Sequence, residues 1–429
     1  MNRFPKNFLL GAATAAHQVE GNNTNSDCWA MEHMKYTSFL EPSEGAVDHY
    51  NRYEEDIILM KQAGLNAYRF SLEWARIEPQ EGVFDEHEIK HYADMIDCCR
   101  AHGIEPIVTF HHFSSPKWLI TKGGWEAEST VFDFERYVRY CVEKLGNKLN
   151  LVCTINEANM GIQVAAITKR YMMQMQAMAG KADSGDDSVQ VGMNLQKMME
   201  GQKLAAQENV EVFGVPKVEN FTSMRTAEGD LIVCHAHEAA RKVIRELAPH
   251  VKLGLTLSLH DIQVVDGGEK EAAKTWDEEF LHYLPFIQED DFLGVQNYTR
   301  TLIGKDGQLP NPEGAELTQM NYEYYPEGLE HVIRTVAKEY KGDLIVTENG
   351  LATADDSRRV AFIETALKGV QTCINDGLPV KGYLHWSLID NFEWQKGYSM
   401  QFGLISVDRS TQTRTIKPSL SFLGSYLEK

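Results

Sequence analysis

Eight short, largely apolar runs recur along this chain and alternate with helical patterns. They are Phe8–Ala13, Ala67–Leu72, Glu105–Phe110, Leu151–Ile155, Lys252–Ser258, Phe292–Gln296, Asp343–Thr347 and Val380–Trp386. Runs this short and this apolar suit strands buried on both faces, as in a parallel sheet. The stretches between them carry helix punctuation. Glu54 to Gly64 opens with acids and closes on glycine, Glu88 to His102 runs into Gly103, Phe132 to Leu145 into Gly146, and Val360 to Asp376 into Gly377. Acids near a helix start and glycine past its end match the helix dipole and the left-handed cap. Eight strands alternating with helices predict an α/β chain folded as a (β/α)8 TIM barrel. No Pro/Gly/Ser-rich linker divides the 429 residues, so one domain over 1–429 is expected.

One segment breaks the rhythm after the fourth strand. Between about 167 and 224 stand Met172, Met173, Met175, Met178, Met193, Met198, Met199 and Met224, half of the 16 methionines, around a polar Lys181–Asp187 stretch that reads as a loop. Such an insertion is either a helical hairpin whose methionines fill an irregular interface or a flexible apolar wall near the active-site mouth.

Two of the strands end in acids. Leu344-Ile345-Val346 leads into Thr347-Glu348-Asn349-Gly350, and Leu151 to Ile155 leads into Asn156-Glu157. Parallel α/β folds place their chemistry at the C-terminal ends of strands. Two carboxylates presented there suit cleavage of a glycosidic bond, which needs one group to handle a proton and another to meet the anomeric carbon. Taken singly, an Asn-Glu at a strand end is an ordinary cap or surface charge.

Charge and composition exclude several classes. A formal charge of −20 disfavours nucleic acid, anionic membranes and strongly anionic substrates. The seven cysteines follow no framework spacing, which points to a reducing, cytoplasmic setting. Arg3 and Lys6 before Phe8–Ala16 resemble a signal peptide only superficially, because the apolar stretch is short and Pro5 interrupts it. No run approaches a membrane span. His111-His112 and Cys234-His235-Ala236-His237 lack a second half that would complete a zinc site, so no metal and no cofactor is expected. Asn297-Tyr298-Thr299 is a chance glycosylation sequon.

The C-terminal block Trp386-Ser387-Leu388-Ile389-Asp390-Asn391-Phe392-Glu393-Trp394, with Gly397-Tyr398 and Phe402-Gly403-Leu404, resembles the β-glucosidase family, glycoside hydrolase family 1. Thr347 to Gly350, Asn156-Glu157, Tyr68-Arg69-Phe70-Ser71 and Gln18-Val19-Glu20-Gly21 fit the same family in the same order, and the likeness runs from about Phe4 to Phe422, failing mainly in the Met-rich insertion. The resemblance implies a retaining mechanism with Glu348 as nucleophile and Glu157 as acid/base. It implies support from Arg69, which holds the nucleophile ionised, from Asn156, which bonds the sugar 2-hydroxyl, and from Tyr298, which bonds the nucleophile. It assigns sugar binding to Gln18, His111, Gln296, Trp386, Glu393, Trp394 and Phe402. An anion at Glu393, matched to the 4- and 6-hydroxyls, should repel a 6-phosphate, so unphosphorylated β-glucosides are expected, with β-galactosides or β-fucosides open.

The chain also departs from the family. Ala158 stands where proline usually follows the acid/base, which frees the local backbone. Gln296 takes an asparagine's place, His112-Phe113 stands for Trp-Asp and replaces one aromatic wall of the pocket, and Gln401 replaces an arginine. Rival readings are a transglycosylase on the same site and a non-catalytic glycan-binding protein. The expected partner is a small-molecule glycoside, with no nucleic acid and no membrane. A homo-oligomer stays open.

Overall fold

The computed structural model describes residues 3–177 and 195–428, with side chains described outside 170–203. Eight strands form the barrel: β1 (Leu9–Ala13), β2 (Ala67–Ser71), β3 (Glu105–His111), β4 (Leu151–Ile155), β5 (Lys252–Ser258), β6 (Phe292–Gln296), β7 (Asp343–Asn349) and β8 (Val380–Trp386). They close on themselves in sequence order, β8 returning to β1, and every neighbouring pair is parallel. The (β/α)8 barrel expected from the alternation is therefore the fold. Closure removes every sheet edge, and the strands are buried nearly throughout because helices cover the outside while side chains fill the inside.

The helices begin earlier than the sequence pattern suggests. His49–Ala63 starts a full turn before Glu54, so its first turn carries no acid, although Gly64 closes it at φ 94° as expected. Glu86–Ala101 is capped by Asp85, which accepts from the N–H groups of His87 and Glu88, and Asp356–Asn375 is capped by Asp355. Ser129–Leu145 begins three residues before Phe132, with Thr130 buried in its first turn.

Strand β7 differs in a way that matters for the site. It continues past Thr347 through Asn349, so Glu348 lies within the strand rather than beyond it. Val346 is paired with Val295, and the next pairing on β6 is Glu348 with Gln296, so one extra residue is inserted in β7. Such a bulge twists the strand locally and re-aims the side chains that follow it.

After β4 the chain forms helices Met160–Ala177 and Leu195–Phe213. The Lys181–Asp187 stretch, Met178, Met193 and the side chains of Met172, Met173, Met175, Met198 and Met199 lie outside the described residues. Met224 packs half-buried against the core. No helix among the described residues is long and apolar enough to cross a membrane.

Candidate active site

The C-terminal ends of the strands converge on a buried layer of polar side chains, with Arg69 of β2 at its centre. The guanidinium is fully buried, yet each face has a partner: Nη1 donates to Glu348 Oε1 at 2.6 Å, Nη2 to Asn156 Oδ1 at 2.5 Å and Nε to Thr109 Oγ1 at 3.0 Å. Burying a guanidinium is tolerable only when it is paired and hydrogen-bonded in this way. The other oxygen of Glu348 accepts the Tyr298 hydroxyl at 2.6 Å. Asn156 Oδ1 also accepts from Gln296 Nε2 at 2.8 Å and from Thr256 Oγ1 at 3.2 Å.

Glu157 follows β4 in the left-handed region at φ 44°, a conformation that side chains other than glycine seldom adopt. Its N–H donates to Thr256 Oγ1 at 2.9 Å, and its side chain is buried. Its Oε2 has no hydrogen-bond partner among the described residues. Burial lifts the Glu157 carboxyl well above the ordinary carboxylate range, and the negative charges of Glu348 and Glu393 lift it further, against the pull of Arg69. Burial also raises Glu348, but there Arg69, the Tyr298 hydroxyl and Gln296 oppose it. Two carboxyls that feel each other's charge inside one cavity do not ionise together easily, so a single shared proton goes to the one without a cation. That one is Glu157.

The remaining side chains form a rim of hydrogen-bonding atoms and flat rings. Gln18, in the short helix Ala16–Val19 after β1, donates through Nε2 to the Phe392 carbonyl at 2.8 Å, to Asn391 Oδ1 at 3.2 Å and to Glu393 Oε2 at 3.3 Å. His111 closes β3. Its Nε2 lies 3.0 Å from Ser115 Oγ, and burial together with Arg225 pushes its pKa down to about 3. His112 Nε2 accepts from Asn156 Nδ2 at 3.2 Å, which leaves its proton on Nδ1. Burial and the nearby Arg69 keep that ring neutral. The His112 ring lies near-parallel to Trp386, at 5.6 Å and 22°, and to Trp394, at 6.2 Å and 16°. The replacement wall at His112 is thus a flat aromatic face. Phe402 stands edge-on to Tyr298 at 6.2 Å. Gln18 Oε1, His111 Nδ1, His112 Nδ1 and Gln296 Oε1 are buried without a partner among the described residues.

Every site residue expected from the sequence is therefore in this one connected cluster. Others had not been singled out. Thr256 holds both the Glu157 N–H and Asn156, and Thr109 holds Arg69 Nε. Along β5 the leucines 253, 255 and 257 alternate with Gly254, Thr256 and Ser258, a period of two that marks the polar set as inward-facing. His17 stacks on Trp394 at 5.8 Å and 8°, a contact between distant segments that local pattern cannot reveal. The freedom expected from Ala158 is reduced, because its N–H donates to the Thr256 carbonyl at 3.1 Å, a bond proline could not make.

A closed parallel barrel carrying two buried carboxyls and a buried arginine at its strand ends, beside indole faces suited to the apolar side of a pyranose, defines a glycoside-cleaving hydrolase. Comparison with known proteins makes this specific. The family model for Glycosyl hydrolase family 1 matches residues 1–186 and 288–429, and the chain belongs to that family. A β-glucosidase of Agrobacterium sp. is 29% identical over 97% of this chain and 94% of its own. A 6-phospho-β-galactosidase of Clostridium acetobutylicum is 27% identical over 98% and 96%. The crystal structure of the β-glycosidase BGL167 superimposes with a TM-score of 0.86 at 44% identity, covering 99% of this chain and 97% of that one. The chain is a glycoside hydrolase, β-glucosidase-like, that cleaves O-glycosyl bonds.

Proposed function

We propose that this hydrolase is a retaining β-glycosidase acting on unphosphorylated β-glucosides, with β-galactosides or β-fucosides as further substrates. The observation that carries the reading is the asymmetry of the two carboxyls: Glu348 has a guanidinium on one oxygen and a phenol on the other, whereas Glu157 has neither. Glu348 is the anion and nucleophile, and Glu157 is the proton donor. A Glu348 oxygen bonds to the anomeric carbon while the bond to the leaving oxygen breaks and Glu157 gives that oxygen its proton. Water then attacks the glycosyl ester, Glu157 takes the water proton, and the sugar leaves with its configuration retained. A retaining pair of carboxyls stands about 5–5.5 Å apart, close enough for direct attack. Arg69 keeps the nucleophile ionised, and Asn156 is poised for the 2-hydroxyl.

Removing the nucleophile tests this reading. Glu348→Ala is expected to abolish hydrolysis of a nitrophenyl β-glucoside, with turnover restored by added azide, which takes the carboxylate's place and yields a glycosyl azide. Unchanged hydrolysis in that variant would overturn it. The preference for plain sugars rests on Glu393, a buried carboxylate tied to Gln18 beside Trp394, where a second anion would be repelled. Because some relatives are named 6-phospho-β-galactosidases, the discriminating comparison is a nitrophenyl glycoside against its 6-phosphate. Faster cleavage of the phosphorylated sugar would reverse the preference.

A further inference from the structure

We propose that Arg225 is a positioning residue for Glu157, acting through the carbonyl of Ala158. This rests on the reading of Glu157 as the proton donor. A glutamate at φ 44° keeps that conformation only if its surroundings hold the peptide groups on either side. Thr256 holds two N–H groups, taking that of Glu157 on its hydroxyl at 2.9 Å and that of Ala158 on its carbonyl at 3.1 Å. The third peptide in succession, between Ala158 and Asn159, is held by Arg225, whose Nη1 donates to the Ala158 carbonyl at 2.7 Å. With three successive peptides held, the direction in which the Glu157 side chain leaves the backbone is fixed as well.

Arg225 is itself anchored through its backbone, its Nη2 and its guanidinium face, with Nε buried without a partner among the described residues. Its backbone N–H donates to the Gly161 carbonyl at 3.2 Å, its Nη2 donates to the Phe221 carbonyl at 2.8 Å, and its guanidinium lies over the Phe221 ring at 4.5 Å. A Cβ added at Gly161 would come within 2.6–2.8 Å of its Nε, Cζ and Cβ, so the side chain lies directly against the first turn of the helix Met160–Ala177. The buried charge is balanced by Asp230, 3.4 Å from Nη1. The carboxylate of Asp230 is fixed in turn by the Tyr283 hydroxyl and by His282 Nε2, each at 2.8 Å. Cys234 lies beside this pair with the spacing of a metal ligand, but the hydrogen bonds already made to Asp230 account for the cluster. Arg225 and the Ala158 N–H bond supply the rigidity that a proline at 158 would otherwise give.

An acid displaced by about 1 Å loses on the order of 10²-fold in rate, but only where the leaving group needs its proton. The test is therefore leaving-group dependence. Arg225→Met is made together with Asp230→Asn, so that no unpaired carboxylate stays buried, and Arg225→Lys is made alone. kcat/KM is measured on phenyl and 2,4-dinitrophenyl β-glucosides, with circular dichroism to follow folding. The double variant is expected to lose about 10²-fold on the phenyl glucoside and less than about threefold on the dinitrophenyl one. The lysine variant is expected to lose about tenfold with the same selectivity, and it carries the test if the double variant does not fold. Equal losses on both substrates, or no loss on the phenyl glucoside, would overturn the positioning role. Glu157→Ala runs alongside. If it shows the leaving-group selectivity and the Arg225 variants do not, only the positioning inference falls; if Glu157→Ala shows none, the reading of Glu157 falls and takes the inference with it.

Discussion

Tyr298→Phe removes one oxygen and leaves the ring that packs edge-on against Phe402 and Tyr322. The lost contact is a 2.6 Å hydrogen bond to Glu348 Oε2, in a site where both partners are buried. A hydrogen bond to an ionised group contributes about 1.5–3 kcal/mol. At about 1.4 kcal/mol per pKa unit, its loss raises the Glu348 pKa by about one to two units. The sign follows from which form the phenol favours. Its O–H donates to the carboxylate, so removing it favours the protonated acid, and the acid cannot attack carbon. The acid limb of kcat/KM against pH should therefore move up by about one to two units, toward the lower figure if water replaces the hydroxyl. Arg69 remains in place, so activity near neutral pH should survive in part. The assay is kcat/KM for 4-nitrophenyl β-glucoside from pH 4 upward, for both proteins, in the range where each stays folded. An acid limb that stays put or moves down, in a folded variant, would refute the reasoning.

Other outcomes follow from the same contacts. Glu157→Gln should remove the basic limb of the pH profile, because that limb is the loss of the Glu157 proton; a limb that persists would assign the proton to another group. Arg69→Met strands a buried carboxylate and should cost about 3–5 kcal/mol of stability as well as activity, read as a lowered urea midpoint. Glu73, buried near His17, has its pKa raised to about 7, chiefly by burial. Its folded value lies above its unfolded one, so its contribution to stability is complete below about pH 4.5 and is lost as pH rises through about 7, roughly 3 kcal/mol by pH 8. Glu73→Gln should flatten that decline, and urea unfolding at pH 5 and pH 8 with the same difference in both proteins would count against it.

The barrel was legible in the chain because a buried parallel strand reads as a short, largely apolar run, and eight such runs alternate with helical patterns. Five residues in a row, Leu151 to Ile155, specify β4 to the residue. The two strand-end acids were legible for the same reason: they are the polar residues that terminate apolar runs. What the chain did not reveal depends on contacts between segments. The bulge in β7 is a matter of register with β6, and nothing within Asp343–Asn349 announces it. The left-handed turn at Glu157 is imposed by Thr256 and Arg225, about 100 and 68 residues further along. His112, conspicuous as a departure, proved to lie parallel to two tryptophans that arrive from β8 and the loop beyond it.

The most direct measurement is the mass of the peptide that holds the sugar after incubation with 2,4-dinitrophenyl 2-deoxy-2-fluoro-β-glucoside, a substrate whose fluorine slows breakdown of the glycosyl ester more than its formation. The expected result is one fluoroglucosyl group per chain, on the Asp343–Gly350 peptide at Glu348, with activity lost in step. A label on Glu157 or on any other residue, or full turnover with no label at any time, would contradict a nucleophilic Glu348.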